Sequence, residues 1–234
     1  GTRTIPKVNL ICGPGGIYTT IAKKLVYGDV GIDGLYGPTE TLIIADENAN
    51  PILCASDLVA QAEHDTLAIP ICITTSIELA NSISKESLLR SKQIERSEIA
   101  YQSIIHRGAI LVVDTIDQAF ELANNFAPEH ISLMVKTPNV HLEKIRNAGA
   151  IFLGEHSHEV MGDYVAGPSH VMPTSGTAKF NSGLNVNTFL KFSPVVQIKK
   201  SNSQSLASVA ATIAMAEGLT GHAEAAEIRN EIEF

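Results

Sequence analysis

AILVVDTIDQAFELANNFAPEHISLMVKTPNVHLEKIRNAGAIFL, residues 109–153, is the stretch that decides the fold. Ala109 to Val113 is a continuous apolar run of strand length, Ile116 to Phe126 has helical character, and Ala127-Pro128 stops that helix. His130 to Val135 is a second strand, Val140 to Asn147 a second helix, and Ala150 to Leu153 a third strand. Apolar Val/Ile/Leu strands without polar alternation are buried on both faces, and their regular separation by helices predicts a largely parallel sheet covered on both sides. The expected class is therefore doubly wound α/β.

Working outward, the same alternation precedes this stretch: strand Thr41 to Ala45, a helix from Pro51 to His64, strand Ala68 to Thr74, and helices over Ser76 to Ser91 and Arg96 to Arg107, the last ended by Gly108. Further back, a strand at Val8 to Cys12 leads through Gly13-Pro14-Gly15-Gly16 into a helix carrying Ile17, Ile21, Ala22 and Leu25. Strand, glycine turn and helix can aim backbone N–H groups at an anion or a dinucleotide. The complete dinucleotide spacing is absent, and a tight turn explains the glycines equally well. Ile32 to Glu40 reads as a loop entering a strand, a junction suited to ligands in open α/β sheets. After the quoted stretch, Glu155 to Leu184 is rich in Gly, Ser, Thr, Pro and His and lacks periodicity, as a long functional loop would. Phe189 to Ile198 is expected to be extended, Leu206 to Glu217 an Ala-rich helix, and a break at Gly218 to Gly221 precedes a last helix from His222. This suggests three parts: 1–38, the end of an incomplete nucleotide-binding-like domain; 39–184, the main α/β domain; and 185–234, an extended segment with a helical tail for dimerisation.

The chain has 234 residues, 44% of them hydrophobic, enough for a large core. Its net charge of -8 and lack of any Lys/Arg-rich run argue against nucleic-acid binding. Cys12, Cys54 and Cys72 lie in apolar segments without metal-ligand spacing and read as small core residues in a reducing, cytoplasmic setting. No apolar run reaches membrane-span length, so no membrane partner is expected. The first residue is Gly1 rather than Met, which suggests a removed leader or a piece of something longer.

Chemistry-bearing residues cluster in a few places. Gln61 and His64, three apart at a helix end, share a face that could meet a metal. Glu129 and His130 sit at a helix-to-strand junction as neighbouring acid–base groups. Asp163 and His170 lie in the glycine-rich loop, and Glu217 and His222 flank the glycine break of the tail. One amide oxygen, two imidazoles and one carboxylate from Gln61, His64, Asp163 and His222 would suit Zn²⁺ or Mn²⁺. Spacing alone does not bring these residues together.

Several long motifs occur in order: Gln61-Ala62-Glu63-His64, Ala127-Pro128-Glu129-His130, Asn147 through Gly154, Gly162-Asp163-Tyr164 and Pro173-Thr174-Ser175-Gly176. By them the chain resembles histidinol dehydrogenase essentially end to end, covering the C-terminal part of that family's longer chain. The resemblance implies zinc- and NAD-dependent oxidation of L-histidinol to L-histidine in two hydride transfers through an aldehyde-level intermediate. It implies metal ligation by Gln61, His64, Asp163 and His222, acid–base roles for Glu129 and His130, and substrate contacts from Thr39, His170 and Glu217. Thr39 stands where the family usually has Ser, Gly16 where it has an Asn that contacts NAD, and Tyr36 where a small residue is common. The family's tail crosses to a partner, so a homodimer is expected, with Glu217 and His222 in the neighbour's site. Two rivals stay open at the level of sequence: a non-catalytic zinc- or substrate-binding relative, and a metal-dependent hydrolase using the same ligands.

Overall fold

The computed structural model describes residues 1–231. The chain divides into two compact units, Gly1–Leu190 and the residues from Lys191 onward. The first 38 residues thus cluster with the main α/β body.

In the first unit, β1 (Leu10–Ile11) is followed by α1 (Ile17–Val26) and β2 (Gly31–Ile32). The two strands pair in parallel as a small sheet of their own. β2 falls where a loop was expected, and β1 is shorter than the predicted Val8 to Cys12. Next come β3 (Glu40–Ala45), α2 (Pro51–Ala62), β4 (Ile69–Thr74), α3 (Ile77–Ser91), α4 (Ser97–His106), β5 (Ala109–Val112), α5 (Ile116–Phe126), β6 (His130–Met134), β7 (Ala150–Leu153) and α6 (Glu159–Tyr164). These strands form one parallel sheet in the order β5-β4-β3-β6-β7. The chain winds outward from β3 in one direction, crosses back through α5, and winds outward in the other, which is the doubly wound arrangement.

Every residue of β3 is buried. Ile43 and Ala45 face Cys54, Leu58, Leu79 and Ile83 of the α2–α3 layer. Leu42 and Ile44 face Phe120 and Ala123 of α5. Burying a Leu- or Ile-sized side chain on each face stabilises by roughly 1.5–3 kcal/mol apiece, which explains why the apolar strand runs occupy the centre.

Local chemistry fixes the element ends. Asn50 caps α2 by accepting from the Ile52 N–H at 2.9 Å, with Pro51 in its first turn. That helix ends at Ala62, two residues before the predicted His64. The His64 N–H turns back to the Gln61 carbonyl at 3.3 Å, and the Asp65 carboxylate takes the Leu67 N–H at 2.9 Å. Thr115 and Gln118 form a capping box on α5, whose C-cap, Ala127, adopts φ +57° before Pro128. The predicted helix from Val140 to Asn147 is a 3₁₀ helix over Pro138–Lys144. It goes no further because Asn124 Oδ1 takes the Arg146 and Asn147 N–H groups at 2.7 and 3.1 Å. The segment expected to be irregular contains α6 and a 3₁₀ turn at Thr177–Lys179.

The second unit consists of α7 (Lys200–Ala216) and α8 (Thr220–Glu231), packed through Ala211, Ala214 and Ala223. Small side chains let the two backbones approach closely. Gly218, at φ +76°, turns the chain between them, with the Leu219 N–H returning to the Ala214 carbonyl at 2.8 Å. α7 starts six residues before the expected Leu206, through the polar run Lys200 to Ser205. The preceding residues 190–199 form no strand. Among the described residues no helix is long and apolar enough to cross a membrane.

Candidate active site

In a parallel sheet the connecting helices return antiparallel, so helix C-termini gather at the amino edge of the strands. Gln61 is in the last turn of α2, Thr39 immediately precedes β3, Glu129 immediately precedes β6, and His130 opens β6. Thr41 and His130 pair across β3 and β6, which brings these positions level. With Asp163 of α6 and His170 they line one cleft of about 520 Å³, which Tyr36 and Pro14 also border. Open α/β sheets usually bind ligands at the carboxyl ends of the strands. This cleft lies at the opposite edge, where the partly negative C-terminus of α2 favours a cation.

The floor is a hydrogen-bonded chain. The Thr39 hydroxyl donates to Glu129 Oε2 at 2.6 Å, and the Glu40 N–H donates to the same oxygen at 3.1 Å. The Gln61 amide nitrogen donates to the Thr39 oxygen, which leaves the Gln61 carbonyl oxygen as its free polar atom. His130 Nδ1 is 3.9 Å from both Glu129 Oε2 and Glu159 Oε2, and its Nε2 is 3.9 Å from Asp163 Oδ1. Neither ring nitrogen makes an aligned hydrogen bond.

Burial drives the two acid–base groups in opposite senses. It pushes Glu129 up to about 7, against the Thr39 and Glu40 donors that pull it down. It pushes His130 down to about 4, against the Asp163 carboxylate that pulls it up. At neutral pH the imidazole is therefore an unprotonated base, while the carboxyl exchanges its proton near neutrality.

His64, Asp163 and the Gln61 oxygen are N and O donors of the type Zn²⁺ or Mn²⁺ accepts, and all three line the cleft. They fit a metal that takes further ligands from elsewhere. Among the described residues no cluster of three or more His, Cys, Asp or Glu is assembled. Glu217 caps α7 and His222 lies in the first turn of α8, both exposed, in the second unit. Gly16 is the N-cap of α1, and a Cβ added there would meet nothing within 4 Å.

Residues 1–230 match the family model described as histidinol dehydrogenase. The chain belongs to the histidinol dehydrogenase family. It is 52% identical to a histidinol dehydrogenase of Dehalococcoides mccartyi over 99% of this chain and 53% of that relative. A Synechococcus histidinol dehydrogenase is 50% identical, again over 99% of this chain and 53% of the relative. The crystal structure of histidinol dehydrogenase from Elizabethkingia anophelis has a TM-score of 0.91 and 35% identity, over 99% of this chain and 53% of that one. The chain thus spans about half the length of the relatives it matches.

Sequence reasoning did not single out Thr41, Glu40 or Glu159, all buried around His130. The available signal for Glu159 was its spacing of four from Asp163, which puts both on one face of α6. The Lys23–Asp33 pair beneath the glycine loop was also missed. Asp33 takes the Gly13 N–H at 2.7 Å and Lys23 donates to the Gly13 carbonyl at 2.9 Å.

Proposed function

We propose that this chain supplies the acid–base and metal-holding part of an enzyme that oxidises L-histidinol to L-histidine with NAD, through an aldehyde-level intermediate, in the cytoplasmic synthesis of histidine. The observation that carries the reading is the Glu129–His130 pair, with proton affinities displaced in opposite directions at the floor of a cleft walled by Gln61, His64 and Asp163. Membership of the histidinol dehydrogenase family supports this choice of substrate.

His130, neutral at working pH, takes the proton from the substrate alcohol; NAD, when bound, would accept the hydride of the carbinol carbon. Glu129 removes a proton from the water that adds to the aldehyde carbon. Once His130 has released its first proton to solvent, it accepts the proton of the resulting hydrate, and a second NAD, when bound, would take the second hydride. Gln61, His64 and Asp163 would hold the metal, with His222 as the fourth ligand, and zinc would supply a Lewis-acid anchor that positions the substrate. Thr39 and His170 contact the substrate, and Glu217 pairs with its cationic amine. In a homodimer, Glu217 and His222 serve the neighbouring subunit's site. Gly16, at the N-cap of α1, would contact the cofactor.

Substitution separates the roles. His64→Ala loses zinc and histidinol-dependent NADH formation together, whereas His130→Ala keeps zinc and loses turnover by about 10²–10⁴-fold. Loss of zinc in His130→Ala would refute the division into ligand and base.

A second reading is favoured by Gly16, which stands where the family has an Asn that contacts NAD: a relative that binds zinc and histidinol without turning over NAD. Calorimetric binding of histidinol with no NADH formed would select it. Zinc-dependent ester cleavage without NAD would select a hydrolase.

A further inference from the structure

The motif Pro173-Thr174-Ser175-Gly176 carries no acid, base or strong metal donor, yet its backbone is held in an uncommon shape. Ser175, at φ +56°, and Gly176, at φ +75°, both lie in the left-handed region, which a serine enters rarely. The Thr174 carbonyl closes the turn by accepting the Thr177 N–H at 3.1 Å and the Thr177 hydroxyl at 2.7 Å. So shaped, the turn meets a segment that lies 137 and 135 residues away along the chain at its two contacts.

The Gly37 N–H donates to Thr174 Oγ1 at 2.6 Å, and the Ser175 N–H donates to Glu40 Oε1 at 2.9 Å. Thr174 and Glu40 are both buried, so water competes poorly for either bond. A Cβ on Gly37 would stand 2.9 Å from Ser175 Oγ, so a glycine is what lets the segment lie this close to the turn. Between the two ties stands Thr39, whose hydroxyl donates to Glu129 Oε2 at 2.6 Å and whose oxygen accepts from the Gln61 amide. The Glu40 N–H reaches the same Glu129 oxygen at 3.1 Å. Thr39 lies just outside β3, and residues 36–38 before it belong to no strand or helix. Side chains hold them instead: Thr174 takes the Gly37 N–H, and the Thr20 hydroxyl donates to the Tyr36 carbonyl at 2.5 Å. A hydroxyl shared between a carboxyl oxygen and an amide tolerates little movement, because hydrogen bonds weaken steeply as their angles close.

We propose that Thr174 is a positioning residue: together with the Ser175 N–H it clamps residues 37–40, and so holds the Thr39 hydroxyl and the Glu40 N–H on Glu129. The inference rests on the reading of Glu129 as an acid–base group of histidinol oxidation. The turn acts on Glu129 through Thr39 and Glu40, and it gives the motif a task that its side-chain chemistry alone does not suggest.

The test uses the full chain, loaded with zinc, as Thr174→Val and Thr174→Ser. Valine keeps the shape of threonine and removes the acceptor, whereas serine keeps the acceptor and removes the methyl. Amide hydrogen exchange, read by NMR, is expected to quicken by about 10-fold at both Gly37 and Glu40 in Thr174→Val and to stay near the parent rates in Thr174→Ser. The kcat for histidinol oxidation, taken per bound zinc, should fall by about 10- to 100-fold in Thr174→Val and be restored in Thr174→Ser. The Glu40 amide is the reading that a merely local role does not move, since its partner is Glu129 rather than the turn. Exchange at Glu40 that stays at the parent rate in folded Thr174→Val, or an unchanged kcat there, overturns the proposal. So does a Thr174→Ser variant as impaired as Thr174→Val, which would assign the effect to packing of the methyl. Should Thr174→Val fail to fold, Thr174→Ala takes its place under the same readings. If the parent forms no NADH from histidinol, it is the activity that is misread, and the Gly37 and Glu40 amides still decide the clamp.

Discussion

Glu129 is the residue whose environment speaks most directly to pH. Its folded-state value is raised from 4.5 to about 7 by burial, so the folded chain binds that proton more tightly than the unfolded chain does. The stabilisation this provides is complete below about pH 4.5 and is lost as pH rises through 7. His130 works in the opposite sense: lowered from 6.5 to about 4, it adds stability that is present above 6.5 and lost as pH falls through 4. In the metal-free protein Glu129→Gln should therefore raise stability above pH 7 by up to about 3 kcal/mol and leave it nearly unchanged below pH 4.5, read from denaturant midpoints at the two pH values. A constant difference across that range would contradict the burial argument. Gly16 gives a second residue-scale prediction. Its backbone is extended, at φ -65° and ψ 177°, and open space surrounds it, so Gly16→Asn requires no strain. An Asn cap in place of Gly adds only a few tenths of a kcal/mol to α1, roughly 0.3, so an NAD KM lowered several-fold at unchanged stability would mark a cofactor contact. Gln61, His64, Glu129, His130 and Asp163 were legible as candidates from their motifs. Glu159 and Thr41 were not, because burial and strand register, with no motif to mark them, bring them beside an imidazole more than twenty residues away along the chain.

At the scale of elements, the Lys23–Asp33 pair ties α1, the glycine loop and β2 together. Both side chains are buried, and between them they satisfy the N–H and the carbonyl of Gly13, while the Lys23 ammonium lies 4.7 Å above the Tyr36 ring at the cleft wall. Removing one partner strands a buried charge. Lys23→Met should then cost about 3–5 kcal/mol by denaturant unfolding, and a double replacement with Asp33→Leu should recover much of it. A loss in the double variant as large as in the single one would show that packing, rather than charge, holds the loop. The elements that sequence reading found are those with apolar runs: β3 to β7 and α2 to α5 lie within a few residues of their expected bounds. It missed β2 because a two-residue strand containing Gly31 has no pattern to read, and it shortened α7 because Lys200 to Ser205 carries no apolar period. α2 stopped early for a tertiary reason with a local agent, the Asp65 turn that lets the chain enter β4.

At the scale of the molecule, the cleft of the first unit is lined by Gln61, His64 and Asp163, three of the proposed metal ligands, and the fourth, His222, belongs to the second unit. That unit is a helical hairpin whose own buried core is a few alanines, while Leu206, Val209 and Ile213 on α7 are half exposed. Two helices with so small a core bury too little apolar surface to be stable alone, and the exposed row supplies what a second copy would cover. The prediction is that a chain ending after Phe192 becomes monomeric and loses its zinc, as read by light scattering and metal analysis. His222→Ala in the whole chain should lose zinc and stay dimeric, since it removes a donor from an exposed position without touching the apolar row. Replacing Val209 and Ile213 with Ser should do the converse first, loosening the dimer, and zinc should follow only as subunits part. If the truncated chain stayed dimeric with full metal, both the tail's role in assembly and the ligation by His222 would be wrong. If it became monomeric yet kept zinc, the tail would assemble the subunits while the first unit's own donors sufficed for the metal.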